Sequence, residues 1–329
     1  MKIIKPSATL MEHNVHPYKF IEMVGRTCYK SEDLITEESA ERFVGALVRS
    51  RHMAMLEHET LYVVASQWFM NAFLDDTIGQ DKNSLKYFNI TAQIGANIIS
   101  GSFRSFYDLF WNENVKGTSI ECLKNLLKKE YPLVFSVFDS EATNLFRDDE
   151  CVVFTRDEFK LRFDGESDIL FKHLIHTFKF VCDRGVTHEF VRHRPASYAQ
   201  ESTRYCNYSK DKFGNEITVI LPCFFDTGMG EMTNSLVYDT WKHSCEVAER
   251  DYFKLIDMGA IPQEARSVLP TSLKTEIIIT APEYEWQHIV NLRLAGATGA
   301  PHPQIKEVMN FAINDLLRES EGRIIYEAD

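Results

Sequence analysis

The chain has 329 residues, enough for two modest domains or one enlarged one with a sizeable core. Hydrophobic residues make up 44% and charged residues 26%, which excludes a wholly disordered chain or a fibre. The formal net charge of −12, from 36 Lys+Arg against 48 Asp+Glu, argues against general nucleic-acid binding, which relies on a basic surface; an anionic ligand therefore needs a local basic pocket.

From the N-terminus, Met1 to Pro6 lead into polar sequence too soon to supply a signal-peptide apolar region, and no stretch approaches the roughly 20 apolar residues that span a bilayer. A cytoplasmic protein with no membrane partner is expected. Apolar spacing predicts helices over Pro17 to Val24 and Glu37 to Val48, and the β-rich run Thr60 to Ala65 predicts a strand. The stretch from about Ser66 to Phe171 mixes a helical signal, Ile120 to Glu130, with acidic turn-rich sequence around Asp148-Asp149-Glu150 and Asp164 to Ser167. It reads as an insertion of mixed structure at about 66–171 within a single domain spanning 1–329.

Beyond it, His176 to Cys182 alternates with period two and predicts a strand, as does Ile217 to Leu221. Thr233 to Met258 places Val237, Trp241, Cys245, Ala248, Tyr252 and Leu255 on one stripe, so a buried amphipathic helix stopped by Gly259 is expected. Glu276 to Thr280 predicts a strand. Pro282 suits the first turn of a helix carrying Trp286, Ile289, Val290 and Arg293, and a last helix from Pro303 buries Ile305, Val308, Met309, Ala312 and Leu316. Helices around separated strands argue α+β, with a central mostly antiparallel sheet.

The seven cysteines are scattered, without a Cys-x-x-Cys pair, and read as reduced, mostly buried thiols; no resident metal is expected. Nothing resembles a glycine-rich dinucleotide turn or a P-loop, so a nucleotide must be held by side chains and helix ends.

The informative segment is Arg184 to Arg204, where an acidic chain turns locally basic: Arg184, Arg192, Arg194 and Arg204 face only Glu189 and Glu201 within it. Val186, Phe190 and Val191 predict a short helix running through Arg192-His193-Arg194, ended by Pro195, with a loop from Pro195 to Arg204. Forked guanidinium donors suit phosphate and the imide oxygens of a base, and Gln200 and Ser202 add uncharged donors. The bland alternative is that Arg192 and Arg194 are surface residues paired with Glu189 and Glu201.

Arg192-His193-Arg194, seven residues, Ser202 and then Arg204-Tyr205 resembles the signature motif of the flavin-dependent thymidylate synthases. Other segments resemble that family in the expected order: Gly25 to Ser31, Leu56-Glu57-His58, Asp183 to Val191, Ala265 to Pro270, and Glu285-Trp286-Gln287-His288 through Arg293 to His302-Pro303-Gln304. The resemblance covers about 15–65 and 172–318, and implies that family's fold with a large inserted segment. It implies a flavin site (FAD) contacted by His58, Arg192, His193, Arg194, Gln200 and His288. It further implies a dUMP site formed by Glu189, Arg192, Gln200, Glu201, Ser202, Arg204, Arg266 and Arg293. Arg293 matches the residue that favours loss of the uracil N3 proton, a catalytic role a fixed cation can fill. The implied reaction methylates dUMP to dTMP, with methylenetetrahydrofolate as carbon donor and NADPH reducing the flavin, in a homotetramer.

Two departures from the family pattern stand out. Ala199-Gln200 replaces Asn-Glu, and Pro282-Glu283-Tyr284 replaces an Asn-Ala-Arg flavin patch, so contacts there are expected to be rearranged. Cys206 invites a nucleophilic role, but no partnered base is evident and a structural role is expected. Arg293 follows the apolar positions of its helix, so an anion or carboxylate is expected beside it.

Rival readings are a phosphohydrolase with His193 as nucleophile in an arginine cradle, a metal site of His188, His193 and nearby carboxylates, and a non-catalytic nucleotide or flavin binder. The metal reading suffers because five-residue spacing on a helix turns the imidazoles about 140° apart, and no third histidine lies close in sequence.

Overall fold

The computed structural model describes residues 1–141, 146–147, 150–225 and 235–327. Asp148, Asp149 and Thr233, on which parts of the sequence reading fell, lie outside the described residues. The strands are β1 (Lys2–Ile4), β2 (Ser7–Met11), β3 (Thr60–Ala65), β4 (Phe88–Gln93), β5 (Ala96–Ser102), β6 (Cys151–Phe154), β7 (Ile175–Asp183), β8 (Ser197–Gln200), β9 (Thr218–Ile220) and β10 (Lys274–Pro282). The fold is α+β, and the chain divides into two compact units. No helix among the described residues is long and apolar enough to cross a membrane.

The first unit comprises Met1–Met11, Arg26–Glu32 and His176–Asp329. Its main sheet has the order β2-β7-β10-β8. β2 runs antiparallel to β7, with Ser7 opposite Val181, and β8 antiparallel to β10, with Gln200 opposite Ile277. β10 is buried from Thr275 to Pro282, as expected of an inner strand covered on both faces. The Glu283–Arg293 helix buries Trp286, whose indole Nε1–H donates to the His176 carbonyl at 3.0 Å. The Pro303–Ser320 helix has Pro303 in its first turn and buries the apolar stripe read from the sequence. A smaller core gathers Tyr208, Ile217, Val219, Cys245, Tyr252 and Leu273 beside the parallel pair β1 and β9.

Several expectations are corrected here. The helix entering the motif is Arg184–Phe190 and stops before Arg192-His193-Arg194. Its end is satisfied by side chains: Tyr198 Oη lies 2.7 Å from the Phe190 carbonyl, and Arg194 Nη1 donates to the carbonyls of Val191 and His193 at 2.7 and 2.8 Å. The predicted loop from Pro195 to Arg204 contains β8, because the open side of β10 offers backbone partners and Ala199 packs inward. Pro282 is the last residue of β10 and the cap of the next helix, in extended conformation, rather than part of its first turn. The Ser235–Asp257 helix is only partly buried. Cys245 and Tyr252 reach the small core, but Val237 is 49% exposed, since that core is too short to cover the whole stripe. Gly259, at φ +96°, follows it as the expected stop.

The second unit comprises Glu12–Gly25 and Asp33–Ile175. Its sheet has the order β4-β5-β3-β6, so the 66–171 segment supplies three of the strands and β3 the fourth. Tyr62, Ile98, Phe159, Leu170 and Leu174 share its core. His173 is enclosed there, its ring nitrogens 2.8 Å from Ser100 Oγ and 2.8 Å from Thr91 Oγ1. The segment therefore has a buried core of its own, formed with β3.

Candidate functional site

Within the first unit, the turn Arg192-His193-Arg194 meets the C-terminal end of the Glu283–Arg293 helix. Arg293 Nε donates to His193 Nε2 at 3.0 Å, Nη1 to Glu189 Oε2 at 2.8 Å, and Nη2 to the Glu189 carbonyl at 3.3 Å. The carboxylate expected beside Arg293 is thus Glu189. Of the five N–H groups of a guanidinium, these bonds leave one on each terminal nitrogen for a ligand. The side chain is held yet 19% exposed.

His193 is only 3% exposed, and Glu285, one turn into the same helix, also 3%. His193 Nδ1 lies 3.7 Å from Glu285 Oε1, and neither atom has a hydrogen-bond partner among the described residues. Burial, reinforced by Arg293, His288 and Arg194, pushes His193 down to about 4, so its ring is neutral near pH 7. Burial pushes Glu285 up to about 7, against the opposing pull of Arg194. His288 is exposed, its ring 5.5 Å from that of His193 in an edge-on arrangement. Glu285 belongs to a segment that resembles the family, but sequence reading gave it no role.

The arginine pairing expected by the bland alternative is absent among the described residues. Glu189 is taken by Arg293, and Glu201 is buried and bound to Lys274 Nζ at 2.9 Å. Arg192 is exposed, and Arg194 lies 5.5 Å over the Tyr198 ring. Lys274 also holds Glu276 at 2.7 Å, and Lys30 reaches Glu276 at 2.8 Å. Burial would raise Glu276, but these ammonium groups hold it down at about 2. Of this cluster the sequence singled out Glu201 alone, because Lys274 and Glu276 lie on β10 and Lys30 in a distant N-terminal segment.

Next to it, the Ser202 N–H donates to the Cys28 carbonyl at 3.0 Å, fixing the turn that presents Arg204. Arg204 is exposed over Tyr205, and the exposed Arg266 donates to Thr203 Oγ1 at 3.3 Å. Gln200 Nε2 donates to Thr187 Oγ1 and Thr275 Oγ1, each at 3.2 Å. Cys206 is 1% exposed and its thiol is pushed up to about 12 by burial, which makes it inert as a nucleophile. His58 belongs to the second unit, fully buried at the end of the short turn Met53–His58 before β3.

The departure at Pro282-Glu283-Tyr284 has a structural reading. Glu283 is fully buried and bound by His176 and Arg323, so it faces the protein interior. For the metal reading, His188 is exposed, whereas the atoms that converge are those of His193, Glu285 and His288, within 4.8 Å of one another. A cavity of about 330 Å³ lies behind Glu189, lined also by Asp183, Phe225, Trp241, His302 and Gln304; its carboxylates make it unsuited to a phosphate.

Residues 162–318 match the family described as thymidylate synthase complementing protein. The flavin-dependent thymidylate synthase of Pyrococcus furiosus is 34% identical over 131 residues, 40% of this chain and 50% of that protein. The enzyme of the same name from Pyrococcus horikoshii is 31% identical over 164 residues, 50% of this chain and 63% of that protein. The chain thus spans about half to two thirds of the length of these relatives. A solved structure described as a UMP/dUMP methylase PolB from Streptomyces cacaoi, bound with 5-Br dUMP, is 15% identical with a TM-score of 0.41, covering 98% of this chain and 99% of that one. Residues 162–318 thus match that family model, and parts of the chain are similar to proteins named flavin-dependent thymidylate synthase, the family its Arg192-His193-Arg194 motif resembles.

Proposed function

We propose that this protein methylates dUMP to dTMP, with methylenetetrahydrofolate as carbon donor, bound FAD as hydride source and NADPH as its reductant. The single observation that carries the reading is the Arg293 guanidinium, fixed by Glu189 and His193 yet left with outward N–H groups beside the Arg192-His193-Arg194 turn. A cation so held stabilises negative charge that develops on a uracil ring when its N3 proton leaves, and being fixed in advance it reorganises little. Arg204, Arg266 and Ser202 supply donors for the phosphate, and Gln200 an amide for the base. Glu189 acts as the carboxylate that aims Arg293, and Glu201 as a buried anchor for Lys274.

The donor set also fits a flavin. Arg192 is exposed without an acidic partner among the described residues, and the His193 and His288 rings lie edge to face. Arg192, His193, Arg194, Gln200 and His288 would contact it. When bound, the flavin supplies the hydride that completes the methyl group. A catalytic domain of 1–329 interrupted at 66–171, a homotetramer and a cytoplasmic location belong to the same proposal.

The phosphohydrolase reading is disfavoured because His193 is 3% exposed and its Nε2 lone pair already accepts from Arg293. The deciding assay follows tritium released from 5-tritiated dUMP in the presence of FAD, methylenetetrahydrofolate and NADPH. Release is expected from the unaltered protein. Its absence, together with a preparation that takes up no FAD, would overturn the proposal in favour of a different ligand.

A further inference from the structure

We propose that Glu285 is a positioning residue that sets the tautomer of His193 and, through it, the aim of Arg293. A guanidinium cannot accept a hydrogen bond, so His193 Nε2, 3.0 Å from Arg293 Nε, must present its lone pair. The proton of the neutral ring then sits on Nδ1. That nitrogen faces Glu285 Oε1 at 3.7 Å, and both atoms are buried without another partner among the described residues. A movement of under about 1 Å brings the pair to hydrogen-bonding distance. The line Glu285, His193, Arg293, Glu189 thus places two carboxyl groups at the ends of one cationic relay. The inference rests on the proposed function only for what Arg293 does to its ligand.

Ionisation of Glu285 decides the direction of the bond. As a carboxylate it accepts from Nδ1–H and strengthens the tautomer that holds Arg293. As a neutral acid it can donate to Nδ1, which favours the proton on Nε2 and opposes the Arg293 contact. The groups facing this pair are Arg293 and His288 from the same helix as Glu285, Arg194 from the turn and Tyr198 from β8. The Arg293 and Arg194 guanidinium groups oppose a metal ion between His193 and Glu285, so a proton is the better occupant of that space.

The test uses protein labelled with 15N in its imidazoles, without flavin or nucleotide, beside turnover of the loaded enzyme. At about pH 9, where Glu285 is ionised, His193, assigned by its loss in His193→Gln, is expected to show the Nδ1–H tautomer in the unaltered protein and a mixture in Glu285→Ala. The Glu285→Gln variant, which keeps an acceptor oxygen but cannot ionise, is expected to keep the fold and lose the turnover inflection near about pH 7. In Glu285→Ala, kcat is expected to fall about tenfold with KM for dUMP changed less than about twofold. An unchanged His193 spectrum in both variants overturns the positioning role. A responding His193 in a protein that never turns over dUMP would instead overturn the proposed function, so the two failures are separable.

Discussion

Glu283 and Arg323 meet through two parallel bonds, Nε to Oε2 at 2.7 Å and Nη2 to Oε1 at 2.9 Å, with the carboxylate fully buried. His176 Nε2 approaches Oε1 of the same carboxylate at 2.8 Å. This brace ties β7, the helix that ends in Arg293 and the C-terminal segment together. Glu283→Ala would leave the buried Arg323 guanidinium with only the exposed Glu321 at 3.4 Å, so a stability loss of about 3 kcal/mol is expected, read from urea unfolding. Unchanged stability would mean that the pair contributes nothing. Burial opposes the charge on Glu283 but its partners hold the carboxyl below the usual range, so the contribution is present above that range and lost as pH falls through the folded value.

A second prediction concerns Arg293. Lysine keeps the charge but cannot donate to His193, Glu189 and a ligand at once from a planar fork. Arg293→Ala is expected to lower dUMP turnover about 10²–10³-fold, the loss typical of one preorganised donor, and Arg293→Lys is expected to recover little of it. Flavin absorbance should survive in both. Turnover within about twofold of the unaltered enzyme would remove Arg293 from the chemistry.

The exposed cations make a different prediction. Arg204 and Arg266 are free to meet a phosphate, and a charge-assisted bond is worth about 1.5–3 kcal/mol. Arg266→Ala is expected to raise the Kd for dUMP about tenfold or more while leaving the affinity for uncharged deoxyuridine unchanged, measured by calorimetry. Equal losses for both ligands would show that Arg266 does not reach the phosphate.

What the sequence revealed follows from the range of its signals. Local periodicity located β3 to the residue, and the Pro303–Ser320 helix from its proline and apolar stripe. The motif spacing marked Arg192 to Arg204 because such a spacing is read along the chain. Long-range pairing was not legible. The side-chain bonds of Tyr198 and Arg194 end the Arg184–Phe190 helix early, and β8 forms only because β10 lies beside it. Glu285 went unassigned for the same reason, since its partner is 92 residues away and no local pattern announces a buried carboxyl facing a buried imidazole. The Glu201, Lys274 and Glu276 cluster likewise exists only once β8 and β10 are paired.

The last prediction belongs to the second unit. His173 is fully buried between Ser100 and Thr91, and burial, with a smaller push from Lys172, lowers it from the ordinary 6.5 to about 3. The folded protein therefore keeps the ring neutral where the unfolded chain takes up a proton. Its stabilising effect is complete above pH 6.5 and is lost progressively as pH falls from there toward about 3. His173→Gln retains hydrogen-bonding capacity but does not titrate in this range. Its unfolding free energy should consequently fall less steeply than that of the unaltered protein between about pH 6.5 and 5, measured by urea unfolding at each pH. Parallel pH profiles for the two proteins would mean that the imidazole is solvated in the native state, contrary to its enclosure by the two hydroxyl groups.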